Sequence, residues 1–316
     1  MTKQHPFRFG LNAIGSGSQE EWRVTARRIE ECGYSTLCVA DHLWTALAPL
    51  TSLMAAAEVT SKLRLGSLVF GNDFRHPVTL AREAATIDLL SQGRLELGIG
   101  TGWERADYEG AGISLDPTGV RVSRFEEAIQ IIKQLFGDEP VSFNGKYYTI
   151  TNLNALPKPA QRPHPPLLIG GGSRRMLSIA AREADIVSVN VQSTAEGGLN
   201  LRSFTAESTD QKIEIIRQAA GERFEALELN VLVLAARITN DSQAAAMKLV
   251  TDWDIDVEKI SLAELIESPH FLFGSEEEIV EQLQRRRERY GISYFTLFGE
   301  EYIEPFAPIV ERLAGQ

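Results

Sequence analysis

The pair Asp41-His42 is the clearest chemical feature of this chain, because it ends a short β-prone run, Thr36 to Ala40, with an imidazole next to a carboxylate. A histidine titrates near neutrality and moves protons in either direction. The same residue can instead hydrogen-bond its own loop or orient a ligand, and the pattern leaves both roles open. His5, His76, His164 and His270 have no metal-ligand spacing among themselves or with the cysteines, so no metal site is expected. Two glycine-rich stretches come next. Gly98-Ile-Gly-Thr-Gly-Trp103 has two glycines of a dinucleotide fingerprint, but Trp103 stands where the third belongs and the strand context is wrong. Its glycines would instead let a flat ligand approach backbone amides. Gly170-Gly171-Gly172-Ser173 runs into a helical stretch, bringing free amides, a hydroxyl and the positive helix end to one spot, the makings of a phosphate site. On that reading a Cβ at Gly171 or Gly172 blocks the phosphate; the alternative is a glycine turn required by packing. Trp44, Phe70, Phe74 and Trp103 fall near three neighbouring strand ends and together suit stacking on an aromatic cofactor. There is no Gly-x-Ser-x-Gly elbow. A flat cleft and a phosphate cradle with little acid-base apparatus point to redox chemistry by a bound cofactor.

The elements that must position these residues follow a regular beat. Apolar runs at Phe7 to Ala13, Thr36 to Ala40, Leu63 to Phe70, Arg94 to Ile99, Pro166 to Ile169, Asp185 to Val191, Leu227 to Ile238 and Tyr294 to Phe298 read as strands. Amphipathic stretches separate them: Glu20 to Glu31, Ser52 to Ser61, Val78 to Leu90, Arg121 to Phe136, Arg174 to Ala184, Ala206 to Ala220 and Glu276 to Tyr290. The alternation predicts an α/β fold, a (β/α)8 TIM barrel built from right-handed βαβ units. Its chemistry then belongs at the C-terminal strand ends, which read Asn12, Asp41-His42, Gly71-Asn72, Gly100-Thr101-Gly102, Gly170 to Gly172 and Asn190.

Residues 1–316 are expected to form one barrel domain with insertions after strands 4, 6 and 7. The first, about 138–165, contains a hairpin signalled by Asn144-Gly145 within Val141 to Ile150, then the proline-rich connector Pro157 to Pro166. The second, 191–205, is rich in Ser, Gly, Asn and Thr and has the composition of a lid. The third, 240–269, reads as helical and polar-acidic, an interface or a lid.

With 316 residues, 43% of them hydrophobic, the chain can bury the core of a single barrel of about 250 residues plus insertions. A net charge of −11 argues against nucleic acid or an anionic membrane surface as a partner. The N-terminus has no apolar signal region and no stretch approaches the roughly eighteen apolar residues of a membrane span, so a cytoplasmic protein is expected. Cys32 and Cys38 flank the second strand and read as two reduced thiols in the barrel wall.

At these residues the chain resembles the bacterial luciferase-like superfamily, and within it the coenzyme F420-dependent oxidoreductases. The likeness spans nearly the whole chain. It rests on Asp41-His42, Leu65-Gly-Ser-Leu-Val69 with Phe74-Arg75-His76-Pro77, Leu97-Gly-Ile-Gly-Thr-Gly-Trp103 with Tyr108-Glu109 and Gly112, Pro157-Lys-Pro, Pro165-Pro-Leu-Leu-Ile-Gly-Gly-Gly172, and Gly274-Ser-Glu-Glu-Glu-Ile279. FMN-using members share most of these motifs, so FMN is the alternative cofactor. The resemblance implies a non-proline cis peptide in a bulge ending strand three, at Leu68-Val69, behind the ring. It places the cofactor phosphate at Gly170 to Ser173 and His42 beside the reactive ring carbon. The expected cofactor-binding set is Asp41, Leu68, Val69, Gly71, Gly100, Thr101, Gly102, Trp103, Gly170, Gly171, Gly172 and Ser173; Asn12, Trp44, Phe70 and Glu104 face a small-molecule substrate.

In the branch that acts on sugar phosphates, a Glu follows strand one and lysines lie near strand six. Here those stretches read Gly15-Ser-Gly-Ser18 and Ser188-Val-Asn-Val-Gln192, which argues against a sugar phosphate. That branch also carries a Glu directly after Gly-Thr-Gly, where this chain has Trp103 and then Glu104. The resemblance implies a homodimer through early outer helices including Val78 to Leu90. The leading expectation is F420-dependent hydride transfer at the deazaflavin C5 with His42 as the catalytic proton carrier. An FMNH2-dependent monooxygenase is the alternative within the fold, and a non-catalytic cofactor-binding protein the alternative outside enzymes.

Overall fold

Alternate residues of the first strand, β1 (Arg8–Ala13), serve two different cores. Phe9, Leu11 and Ala13 join the large apolar layer beneath the helices, while Arg8, Gly10 and Asn12 point toward the barrel axis, the period of two expected of a strand buried on both faces. The computed structural model describes residues 5–15, 17–194 and 197–316. After β1 come α1 (Gln19–Glu31), β2 (Thr36–Val39), α2 (Pro49–Ala57), β3 (Arg64–Ser67), β4 (Phe70–Gly71), α3 (Pro77–Leu90), β5 (Leu95–Gly100), α4 (Arg105–Ala111) and α5 (Thr118–Phe136). There follow β6 (Val141–Asn144), β7 (Thr149–Leu153), β8 (Leu167–Gly171), α6 (Arg174–Glu183), β9 (Ile186–Val189) and α7 (Ala206–Ala220). The chain ends with β10 (Glu228–Val233), β11 (Ala235–Ile238), α8 (Ser242–Asp252), α9 (Leu262–Glu267), β12 (Phe271–Gly274), α10 (Glu276–Tyr290), β13 (Ile292–Phe298) and α11 (Ala307–Leu313).

The barrel is closed and parallel. Its staves run β1, β2, β3 with β4, β5, β8, β9, β10 and β13, and β13 pairs back onto β1 with Arg8 opposite Tyr294 and Asn12 opposite Phe298. The third stave comes in two pieces, and the cis Leu68-Val69 peptide lies at the break, where the resemblance places it. Inside the barrel, Cys38, Leu68, Leu168, Ile186 and Tyr294 form a second apolar cluster. Burial pushes the Cys38 thiol up to about 12, so it stays protonated, and both cysteines are free thiols. At the N-terminal end of the barrel, Arg8 and Arg64 both reach Glu96, and Arg8 also pairs with Glu228 at 2.6 Å.

Local signals set the helix ends. Ser18, Ser173, Thr205, Asp241, Ser261 and Ser275 each accept a first-turn amide, and α10 closes with Gly291 at φ 75°. Four features depart from the sequence reading. The hairpin reverses over Gly145 to Tyr148, since Asn144 still pairs with Thr149, and Glu127 of α5 clamps it by accepting the amides of Lys146, Tyr147 and Tyr148. The run Leu227 to Ile238 divides: β10 completes the barrel, whereas β11 leaves it to pair in parallel with β12. The two segments expected after strands 6 and 7 meet, Phe204 of the first sharing one small core with Ala246, Leu249, Ile260 and Leu265 of the second and with Phe271, while residues 195 and 196 of the first lie outside the described residues. The short helices α4 and α11, seven residues each, are too brief to show a helical period.

His270 is buried between this small core and the barrel, with its Nδ1–H donating to the Leu232 carbonyl at 3.0 Å. Burial, reinforced by Lys212 and Arg286, pushes its pKa down to about 3. A depressed histidine contributes stability that is present above the unfolded value near 6.5 and is lost as pH falls toward 3. Glu228, raised to about 7 chiefly by burial against the pull of Arg8, acts oppositely: its contribution is present below 4.5 and lost as pH rises through 7. Urea unfolding of the wild type and of His270→Asn at pH 6.5 and 5.0 separates the two. The wild type should lose more, by on the order of 1.4 kcal/mol per pH unit. Equal pH slopes would mean that His270 already titrates normally in the folded protein.

Candidate active site

His42 lies just past β2, one-fifth exposed at the C-terminal end of the barrel, and its Nδ1–H donates to Asp107 Oδ2 at 2.6 Å. The other Asp107 oxygen accepts the Leu43 amide at 2.8 Å, so both carboxylate oxygens grip the loop that carries the imidazole. Trp44 stacks on the ring at 5.2 Å and 19°, and Trp103 meets it edge-on at 5.8 Å and 86°. A carboxylate can only accept here, so the bond to Asp107 favours the Nδ1–H tautomer, in which Nε2 carries the lone pair.

The carboxylate next to His42 in sequence serves another purpose. Asp41 holds Arg75 with both oxygens and accepts the Gly71 amide at 3.0 Å, tying the end of β2 to β4. Asp41 is therefore a strut for the third stave. Phe70, expected to face a substrate, is instead fully buried in the layer between barrel and helices, with the Arg75 guanidinium 5.2 Å from its ring centre. Phe74 packs under Gly71 and against Tyr108.

The glycines divide by what opposes them. At Gly100 an added Cβ would come within 2.6 Å of Val69 Cγ2, so the glycine lets β5 press against the Leu68-Val69 segment. Gly102, at φ +74°, leaves room for the Tyr108 hydroxyl, which a Cβ would meet at 2.1 Å. At Gly171 a Cβ would meet Met176 Cβ at 2.7 Å, and at Gly172 it would meet the Asn190 carbonyl and the Gln192 amide at 2.6 to 2.7 Å. These two glycines thus answer to packing against α6 and the strand-six loop, so Gly171→Val would disturb that packing as well as any ligand. What remains of the cradle is the start of α6. Ser173 Oγ caps the Met176 amide at 3.4 Å, while the first-turn amides of Arg174 and Arg175 have no acceptor within the helix.

Thr101, Gly102, Trp103 and Glu104 are half-buried at the mouth, and Trp44 is 56% exposed. Asn12 is buried on the inner face of β1, and its Oδ1 has no hydrogen-bond partner among the described residues. Below it, Ser188 donates to Asn230 Oδ1 at 2.7 Å and Asn230 donates to Thr296 Oγ1 at 2.9 Å. A glycine-lined approach to Leu68-Val69, an orphan buried acceptor and free helix amides fit a flat, phosphorylated group. Asp107 is the site residue that the sequence reading missed. Its signal was present in the stretch Trp103 to Tyr108, but only the fold brings it to His42.

Among known proteins, the model of the luciferase-like monooxygenase family matches residues 6–269. The chain belongs to that family. An F420-dependent glucose-6-phosphate dehydrogenase of Kineococcus radiotolerans is 31% identical over 196 residues, 58% of this chain and 56% of that one. An FMNH2-dependent dimethylsulfone monooxygenase of Pseudomonas putida is 26% identical over 217 residues, 68% of this chain and 55% of the relative. The chain spans about half the length of the curated relatives it matches. In fold, it superposes on an F420-dependent secondary alcohol dehydrogenase with a TM-score of 0.77 at 18% identity, covering 98% and 99% of the two chains. Family members of both cofactor types thus lie at comparable distance. Among the described residues no helix is long and apolar enough to cross a membrane, and no His, Cys, Asp and Glu cluster is suited to a metal ion.

Proposed function

We propose that this chain is an oxidoreductase that binds coenzyme F420 and moves a hydride between the deazaflavin and a small, fairly apolar organic substrate. The observation that carries this reading is the His42–Asp107 pair held between Trp44 and Trp103 at the barrel mouth. A bound deazaflavin would supply hydride exchange at its C5. Leu68, Val69 and Gly100 would back the ring, and the amides at the start of α6 would hold the phosphate. His42 Nε2 would give or take the proton that accompanies the substrate's change of oxidation state. Asp107 would keep the opposite nitrogen protonated and the ring turned to the mouth. The Trp44 and Trp103 faces would exclude water and favour an apolar substrate body. Uncharged Asn190 and Gln192 after strand six favour a substrate without a phosphate.

The second reading, an FMNH2-dependent monooxygenase, is favoured by the longer alignment to the Pseudomonas putida enzyme. Fluorescence titration of the purified protein with F420 and, anaerobically, with reduced FMN distinguishes the two. Saturable one-to-one quenching by F420, at concentrations where reduced FMN has no effect, is the expected result. Saturation by reduced FMN alone would replace the first reading with the second.

A further inference from the structure

Two successive residues of α4 grip different parts of the mouth. Asp107 holds the loop after β2, as described above. Tyr108, one position on and therefore about 100° around the helix, is fully buried and faces the other way. Its hydroxyl donates to Asp73 Oδ2 at 3.0 Å, in the turn after β4, and lies 3.2 Å from the Thr101 carbonyl at the end of β5. Asp73 is itself fixed by Arg124 of α5, which bonds it through Nε at 2.9 Å and also holds Asp116 at 2.8 Å. Burial, then the charge of Asp73, raises the Tyr108 hydroxyl well above its ordinary range, so it remains a donor. Arg121 donates to the Gly102 carbonyl and completes the brace under the Thr101 to Trp103 loop.

We propose that Tyr108 is a positioning residue for His42: by anchoring α4 to Asp73 and Thr101 it sets where Asp107 stands, and so which nitrogen of His42 faces the mouth. This rests on the reading of His42 as the proton carrier. The helix has only seven residues, and its N-cap, Glu104, makes no side-chain capping bond, so side-chain anchors must fix its place. Asp73 has a second partner in Arg124 at 2.8 Å, so removing the Tyr108 hydroxyl is expected to leave that carboxylate paired.

Tyr108→Phe in the full-length protein tests the proposal, since it removes one oxygen and keeps the ring against Phe74. With 15N-labelled histidine, and His42→Ala to assign the signal, the parent should show His42 as the Nδ1–H tautomer. Tyr108→Phe should show mixed tautomers. In the F420-loaded enzyme its kcat should fall about tenfold with KM within about twofold, while Tm drops by no more than a few degrees. Asp73→Asn, which leaves the phenol and weakens its acceptor, should reproduce the tautomer mixture and serves if Tyr108→Phe does not fold. An unchanged tautomer in a folded variant, with only Tm lowered, would make the hydroxyl structural and overturn the proposal. Normal turnover by His42→Ala would instead count against the proton-carrier reading, while the tautomer measurement would still decide what Tyr108 does.

Discussion

Replacing His42 by alanine should lower kcat in the F420-loaded enzyme by about 10²- to 10⁴-fold and change cofactor affinity far less. The imidazole is a titratable group at the mouth whose orientation is fixed on several sides: Asp107 takes Nδ1–H, Trp44 covers one face and Trp103 meets the ring at 86°. Alanine removes the imidazole while Asp107 keeps the Leu43 amide, so the loop retains a tether. The expected phosphate contacts at the start of α6 belong to another stave and are untouched. Steady-state kinetics with any reducible substrate found by screening, together with an F420 titration of the same variant, separate the effects. A large loss of affinity with normal kcat would make His42 a cofactor ligand and leave the proton transfer to another group.

How much of this site is legible before folding depends on the range of the interaction. The staves were legible because a parallel barrel buries both faces of each strand, leaving short apolar runs between amphipathic helices. Strand ends such as Asp41, Gly100 and Gly170 followed from those runs. The partner of His42 did not, because Asp107 is 65 residues away, on a helix too short to show a period. The neighbouring carboxylate, Asp41, turns instead to Arg75, a pairing 34 residues away that adjacency in sequence does not reveal. Phe70 lies on the side of its stave that faces the helices, which a strand of two residues is too short to signal. The triple glycine was ambiguous because a sequence cannot tell a glycine that admits a ligand from one that admits Met176 or the chain at Asn190 to Gln192. β12 was hidden because its four residues follow a helical insertion and pair outside the barrel.

Gly98→Ala should be the most damaging single-methyl change in the barrel. An ideal Cβ at Gly98 falls 1.8 Å from the Ser67 carbonyl oxygen and 2.9 Å from its carbon, both backbone atoms that no rotamer change can move aside. Ser67 Oγ also donates to the Gly98 carbonyl at 2.7 Å, so the two residues are held together at the point of collision. The chain cannot yield locally. On one side β3 pairs with β5 through Leu65–Leu95 and Gly66–Glu96, and on the other β4 pairs with it through Phe70–Ile99 and Gly71–Gly100. Relieving the clash must open one of these ladders, and with it the approach of Gly100 to Val69 that shapes the proposed ring site. Overpacking usually costs about 1 to 3 kcal/mol, but those cases relax through side chains; here about 4 kcal/mol or more is expected, enough to leave little folded protein. Gly119, second residue of α5 and with no atom from outside its own helix backbone and chain neighbours within 4 Å of its ideal Cβ, supplies the contrast. Alanine there should be tolerated, with stability unchanged or raised by up to about 0.5 kcal/mol, since the position is in the first helical turn. Urea unfolding of both variants decides the matter: a native midpoint for Gly98→Ala would mean that the third and fourth staves do not approach so closely, and the ring site built on that approach would fall with it.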